Sequence, residues 1–339
     1  MLTYILKRIL LFIPTLIAIT LVTFGISKLA PGDPVDMILG KGGGGEQRAD
    51  REATERSRND LRKELGLDKS VPLQYLNWVK GVVTLDFGIS YTDRKPVMDK
   101  VGERIWVTLG IDILSIILAY LIAIPIGIYS ATHSGTFGDR ASSTILFALY
   151  SIPTFWAGTL LLIFLTNDDY LIQLFPTRGL HATSYDESWG FFKSTGDLLW
   201  HLAAPVLIYT YASFAFISRQ MRAGMIEVIR QDYIRTARAK GLAERVVVYK
   251  HALRNSLIPI ITLLAGLLPA LISGSIVVEL IFTIPGMGLL SYNALLARDY
   301  PVIMGVLTLG AILTMVGVLV ADLLYSIVDP RIAFSKKNS

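Results

Sequence analysis

Long apolar runs alternate with charged stretches along this chain. Six of the runs, about 9 to 30, 106 to 131, 143 to 166, 198 to 217, 257 to 283 and 303 to 328, are long enough to cross a bilayer as helices. About 20 apolar residues at 1.5 Å per residue span a hydrocarbon core about 30 Å thick. Lys7 and Arg8 before the first run resemble the charged region of a signal peptide, but the run is longer than such peptides need and no A-x-A-like site follows. We therefore expect a retained first transmembrane helix. Pro125, Pro153, Pro205, Pro259 and Pro269 lie in or beside the runs. They read either as kinks suited to a rocking transporter or as the prolines that membrane helices commonly tolerate.

Six spans put both termini on one side, and the basic residues of the short loops say which. Lys7, Arg8, Arg331, Lys336 and Lys337 flank the first and last runs, and the loop 218–256 carries Arg219, Arg222, Arg230, Arg235, Arg238, Lys240, Arg245, Lys250 and Arg254 against Glu227, Asp232 and Glu244. The loop 167–197 instead carries Asp168, Asp169, Asp186, Glu187 and Asp197 against Arg178 and Lys193. Excess Lys and Arg mark the cytoplasmic side, so the termini and the 218–256 loop are expected there. The stretch from Pro31 to Arg104 balances 13 basic with 13 acidic residues and is too long for charge to orient it. Inside it, "EQRADREATERSRNDLRKELGL", between "KGGGG" and Pro72, predicts a small external helical element, either a solvated face or a docking surface.

Composition agrees with the pattern: of 339 residues, 53% are hydrophobic and 17% charged, against about 25% charged in soluble domains. The net charge of +5 needs no nucleic acid to explain it, because the bases gather in the loops of one side. With no cysteine, disulfides, thiolate metal sites and a cysteine nucleophile are excluded. His133, His181, His201 and His251 share no ligand spacing, "GKGGGG" around Lys41 lacks the spacing and the Ser or Thr of a phosphate loop, and no G-x-S-x-G elbow is present. No metal site is indicated, and the chain is not expected to be an enzyme. Asp112, His201, Glu279 and Asp322 are the ionisable residues in the runs; all fall near run ends, where an interfacial role is favoured over a substrate contact. The missing central relay speaks against a secondary transporter.

The loop 218–256 is long enough for two short helices separated by Gly241. Tyr233, Ala237 and Leu242, then Val246, Tyr249 and Leu253, recur at three to five residues, so each half can present a mixed apolar face. Thr236, Ala237 and Ala239 among Arg235, Arg238 and Lys240 make a thin basic knob suited to another protein's groove. A loop lying on anionic lipid would explain the charge but not the small residues.

"YIRTARAKGL" followed by "HALRN" resembles the cytoplasmic E-A-A loop of permease subunits of binding-protein-dependent ABC importers, in the dipeptide, oligopeptide and nickel class. Counting from Gly241, Arg235, Thr236 and Ala237 stand where E-A-A would, and His251, Leu253 and Arg254 stand where I, L and P of the following I-x-L-P would. "LKRILLFIPTLIAITLVTFGISKLAPGDP", "LRKELGLDKSVPLQYLNWVKGVVTLDFGIS", with Leu85 where glycine is more usual, and "VVELIFTIPGMGLLSYNALLARDYPVIMG" resemble further stretches of the same family, specifically the first membrane subunit of the pair.

The resemblance implies an all-α polytopic membrane protein of six transmembrane helices with the type I ABC importer permease fold and an external helical segment between helices 1 and 2. Its parts would be the N-terminal helix 1–30, the external loop 31–104, a permease core 105–330 containing the coupling loop 218–256, and a cytoplasmic tail 331–339. It implies a second homologous permease subunit, two ATPase subunits that hold ATP and Mg while this chain binds no cofactor, an external substrate-binding protein, and a peptide substrate, with nickel-chelate or other small-solute import as the alternative. The site is the multi-pass inner membrane of a bacterium or archaeon. Asp232, Arg235, Thr236, Ala237, Ala239, Gly241, His251 and Asn255 would couple to the ATPase. Glu279, Pro285, Gly286 and Gly288 would form an external gate, or else a plain helix-ending turn.

Overall fold

The computed structural model describes residues 2–29, 33–39, 48–166, 172–186, 188–267, 271 and 274–328. Expectations for Lys41, Asp168, Asp169, Glu187, Pro269 and the tail 331–339 lie outside the described residues. In order the helices are α1 (Leu2–Leu29), α2 (Pro34–Leu39), α3 (Arg48–Glu64), α4 (Val71–Val83), α5 (Val97–Thr132), α6 (Phe137–Ser151), α7 (Thr154–Leu165), α8 (Phe191–Ile229), α9 (Asp232–Ala239), α10 (Glu244–Val246), a π-helical turn (Val247–Ala252), α11 (Leu253–Ser256), α12 (Ile258–Leu267), α13 (Ile276–Phe282), α14 (Met287–Ala297) and α15 (Tyr300–Val328). Among the described residues the only β pairing is a single bridge between Ile89 and Pro96.

Among the described residues four helices, α1, α5, α8 and α15, are long and apolar enough to span a membrane unbroken. The run at 143–166 is two helices, α6 and α7, bent by 92°. Pro153 causes the break: it has no N–H to continue the ladder, and it holds Ile152 extended at φ −81°, ψ 121°. The run at 257–283 is likewise not one helix. It contains α12 and α13 as separate pieces, and α13 with α14 qualifies as a span only as a second bent pair.

The chain divides into two compact units, one of residues up to Ile105 with Leu290–Met315, the other of Trp106–Leu289 with the residues from Val316 on. In the first, α4 lies on α1 through aromatic rings: Phe24 meets Tyr75 edge-on at 5.4 Å and stacks on Trp78 at 6.0 Å. The expected external helices α3 and α4 belong to this unit. Leu85, at the position where the resembled family more often has glycine, sits at φ +59°, a left-handed conformation that favours glycine. The segment after it folds back on itself, with Ser90 N donating to Lys95 O at 2.9 Å. Asp299, 1% exposed, fastens this fold-back, accepting from Ser90 Oγ at 2.5 Å, Tyr91 N at 3.0 Å and Thr92 Oγ1 at 2.9 Å.

In the second unit α5 and α8 pack at close range. A Cβ on Gly127 would stand 2.6 Å from Met221 Cβ and 2.7 Å from Ser218 O, so only glycine fits. Asp139, buried at the start of α6, ties three helices together. It receives Arg222 Nε at 3.0 Å and Nη2 at 2.9 Å from α8, Ser130 Oγ at 2.6 Å from α5, and Gly135 N at 2.9 Å.

Candidate functional site

The loop between α8 and α12 is an ordered helical hairpin. Gln231 is extended at φ −70°, ψ 149° and starts α9, Asp232 sits in the positive first turn and Arg238 in the negative last turn. Gly241 reverses the chain at φ +78°, with nothing within 4 Å of where its Cβ would be. Its glycine is required by conformation, not by room. Arg238 clips across the turn to Glu244 by two bonds, Nε to Oε2 at 3.1 Å and Nη2 to Oε1 at 2.6 Å. Asn255 Nδ2 donates to Tyr233 Oη at 2.8 Å and closes the open end. His251 lies in the π-helical turn Val247–Ala252.

Ile234 and Ala237 of α9 bury against Val247, Val248 and Ala252, over Met221 and Met225 of α8, Ile128 of α5 and Ile260 of α12. The hairpin is therefore fixed to the bundle. Asp232, Arg235, Thr236, Ala239, Gly241 and Asn255 are exposed and His251 is half-buried. Ala237 is 7% exposed, so its smallness serves the protein's own packing, not an outer knob. Of the apolar residues expected on a mixed face, Tyr233, Leu242, Val246 and Tyr249 are exposed. The eight-residue α9, the glycine turn and the π turn each reset the helical register, which is why a single spacing rule misplaces Ala237.

The second group of predicted residues also comes together. Ser275 starts α13, and Thr283, at φ +53°, ends it; Ile284 N then donates to Glu279 O at 2.8 Å and Gly286 N to Ile284 O at 2.8 Å. Glu279 is wholly buried, its Oε2 accepting from Leu289 N at 2.7 Å and its Oε1 from Thr108 Oγ1 at 3.2 Å, while Thr108 Oγ1 accepts from Met287 N at 2.8 Å. Buried carboxylates need such donors. A Cβ on Gly286 would lie 2.5 Å from Glu279 Cδ, one on Gly274 2.3 Å from Oε1, and one on Gly288 2.7 Å from Ile276 N. Proline and glycine at 285–288 were expected to break the helix, and the 91° break between α13 and α14 at 283–286 contains Pro285 and Gly286; Gly286 and Gly288 also make room for the carboxylate and the backbone it holds.

His201, expected near a helix end, instead lies buried within α8, its Nδ1 donating to Asp197 O at 2.8 Å one turn earlier. Sequence reasoning missed Asp139 and Asp299. Thr136-x-x-Asp139 is a capping-box spacing, and the Thr136 side chain does accept from Asp139 N at 3.4 Å. Asp299 stood out only as an acid between two apolar helices.

Apolar helices long enough to cross a membrane, carrying a fixed and charged hairpin with an exposed outer face, are the features of a membrane-embedded component. The chain belongs to the family of binding-protein-dependent transport system inner membrane components, whose model matches residues 123–334, with the family's N-terminal model matching residues 1–112. It is 38% identical over 335 residues to the oligopeptide transport system permease protein AppB of Bacillus subtilis (strain 168), covering 98% of this chain and 100% of that one. It is 36% identical over 349 residues to the dipeptide transport system permease protein DppB of Escherichia coli (strain K12), covering 99% and 100%. A chain of the MetNI methionine ABC transporter, solved in inward-facing conformations, superposes with a TM-score of 0.53 at 20% identity, covering 68% of this chain and 97% of that one. That likeness carries the type I importer permease fold. The chain is thus a multi-pass inner-membrane permease subunit, a transport component and not an enzyme, that works with an ATPase and a substrate-binding protein.

Proposed function

We propose that this permease forms half of a translocation pathway for dipeptides or oligopeptides and is driven through the hairpin Asp232–Ser256. A second homologous permease supplies the other half, two ATPase subunits carry the ATP and Mg, and an external binding protein delivers the substrate. Both termini and the hairpin then lie on the cytoplasmic side, in keeping with the basic residues at 218–256. The observation that carries the reading is the hairpin's division of faces. Ile234, Ala237, Val247 and Val248 lock it to α5 and α8, while Arg235, Thr236, Ala239 and the apolar Tyr233, Leu242 and Tyr249 stay exposed. Exposed apolar side chains rimmed by charge suit a protein partner, and a handle rigidly joined to two helices can pass nucleotide-driven closure into a rotation of the bundle.

Ala239→Trp tests the coupling, because Ala239 is exposed whereas a bulky residue at Ala237 would wedge the hairpin off its own core. Substrate-stimulated ATP hydrolysis by the reconstituted complex is expected to drop at least tenfold with membrane insertion kept; unchanged stimulation sinks the assignment. For the second group, Glu279 with Pro285, Gly286 and Gly288 forms an external gate, supported by the buried carboxylate that links α13 to Thr108 of α5. A crosslink between cysteines placed at Thr108 and Met287 is expected to change in yield with nucleotide. The peptide reading is supported by the names of the relatives and is tested by uptake of labelled dipeptide against nickel.

A further inference from the structure

Between α5, α8 and the residues Leu267, Leu271 and Gly274 lies a cavity of about 240 Å³ whose wall carries Asp112, Ser115, Tyr120 and Tyr209. The three α5 residues follow one helix face. Asp112 is 8% exposed, and its carboxylate receives no hydrogen bond from the described residues. Ser115 Oγ and Tyr120 Oη are buried with no partner among the described residues. Tyr209 Oη accepts from Ser275 N at 2.7 Å, so its own proton is free to point elsewhere. Among the described residues no Lys, Arg or His lines the cavity. Just behind the wall at Gly274 stands the second carboxylate, Glu279, whose donors are already supplied by Leu289 N and Thr108 Oγ1.

An acid inside an apolar bundle is costly, and leaving hydroxyls unpaired beside it adds to that cost. What the wall lacks is a cation with several donors. A metal ion fits poorly, since hard cations take six or more oxygens and a single carboxylate is offered. An ammonium group, with three donors and no acceptor, matches the charge of Asp112 and the unpaired Ser115 Oγ one turn along α5. The volume is below that of pockets for whole drug-sized ligands, about 300 Å³ and up, and suits one end of a chain molecule.

We propose that this cavity binds the ammonium terminus of the peptide in transit, with Asp112 as the residue that selects for it. The inference rests on the peptide reading above. The same cationic chemistry could instead come from a Lys or Arg of the second permease, and the test separates the two. The complete complex in proteoliposomes, with saturating binding protein and labelled Ala-Ala, first decides the reading: wild-type uptake of nickel and not of Ala-Ala sinks the peptide reading itself, whatever Asp112 does. Given wild-type Ala-Ala uptake, Asp112→Asn is expected to slow it about ten- to hundredfold, the worth of a charge-assisted hydrogen bond, and Asp112→Glu to restore most of the rate. Ser115→Ala, which removes a hydroxyl with no structural partner, is expected to slow it about threefold to tenfold. Wild-type uptake by Asp112→Asn overturns the proposal. So does an Asp112→Asn chain that inserts but no longer co-purifies with the second permease, which would assign the cation to that subunit. If Asp112→Asn fails to insert, Ser115→Ala decides alone, and an unchanged rate overturns the proposal.

Discussion

Two glycine-dependent turns in the second unit are held in opposite ways. Gly241, in the hairpin, has open space around it and a φ of +78°. Gly286, beside Glu279, has no positive φ and no room for a methyl group. The first turn needs a conformation and the second needs a volume. The hairpin turn leaves its charges in solvent, while the Glu279 turn closes over a charge and satisfies it. A partner can grip the first without unfolding anything, whereas the second can move only if Glu279 exchanges its donors.

The largest effect expected from this contrast is at Gly286. Gly286→Ala sets a methyl group 2.5 to 2.6 Å from three atoms of the Glu279 carboxyl group, so the carboxylate must leave its donors. Overpacking costs about 1–3 kcal/mol and stranding Leu289 N about as much again, for a total of about 2–6 kcal/mol in thermal unfolding of the purified complex. Removing the obstacle should rescue part of it. Gly286→Ala with Glu279→Ala is expected to be less destabilised than the sum of the single variants, and strict additivity would show that the two residues do not share one space.

Gly241→Ala comes next, at about 1–2 kcal/mol, because an alanine Cβ strains the left-handed backbone without meeting a neighbour. Gly241→Asn should recover about half, since asparagine tolerates that conformation. Equal losses from Ala and Asn would mean that space matters at Gly241 after all and would erase the contrast.

These turns also show what the sequence makes legible. Apolar runs locate the bundle well, because lipid imposes length and composition directly. They misjudge 143–166 and 257–283, because a run of apolar residues records burial in lipid and not whether the backbone bends within it. The hairpin is findable from its bases and from Gly241. Which side of α9 faces in is not, since Ile234 and Ala237 are set by packing onto Met221 and Met225. Glu279 was visible as an acid in an apolar run, but its glycine cage joins Gly274, Gly286 and Gly288 across a fold that spacing alone does not encode. Asp139 and Asp299 are of the same kind: their donors lie as far as 83 and 209 residues away.

A smaller effect belongs to the hairpin's open end. Asn255→Ala removes the bond to Tyr233 at about 0.5–1 kcal/mol or less, because both groups are exposed. Limited proteolysis should then cut within 232–256 faster, with the melting of the bundle unchanged. A bundle that melts early would mean that the hairpin is not held mainly by its buried face.

The smallest effect is a pH dependence at Glu244. The hydrogen bonds from Arg238, and secondarily its charge, outweigh partial desolvation and hold the Glu244 carboxyl below its ordinary range. A carboxyl whose pKa is lower folded than unfolded contributes stability that is present above the unfolded value, about 4.3, and is lost as pH falls through the folded value. The side chains are 41% and 60% exposed, so solvent limits the pair to about 0–1 kcal/mol. Proteolysis of the hairpin should therefore accelerate slightly as pH drops from 5 toward 3 (on the order of twofold), and Glu244→Gln should abolish that slope while raising the rate at pH 7 by a similar factor. A hairpin whose protection falls steeply over this window in Glu244→Gln would instead place the acid-sensitive group elsewhere, with Asp232 beside Arg235 the next to replace.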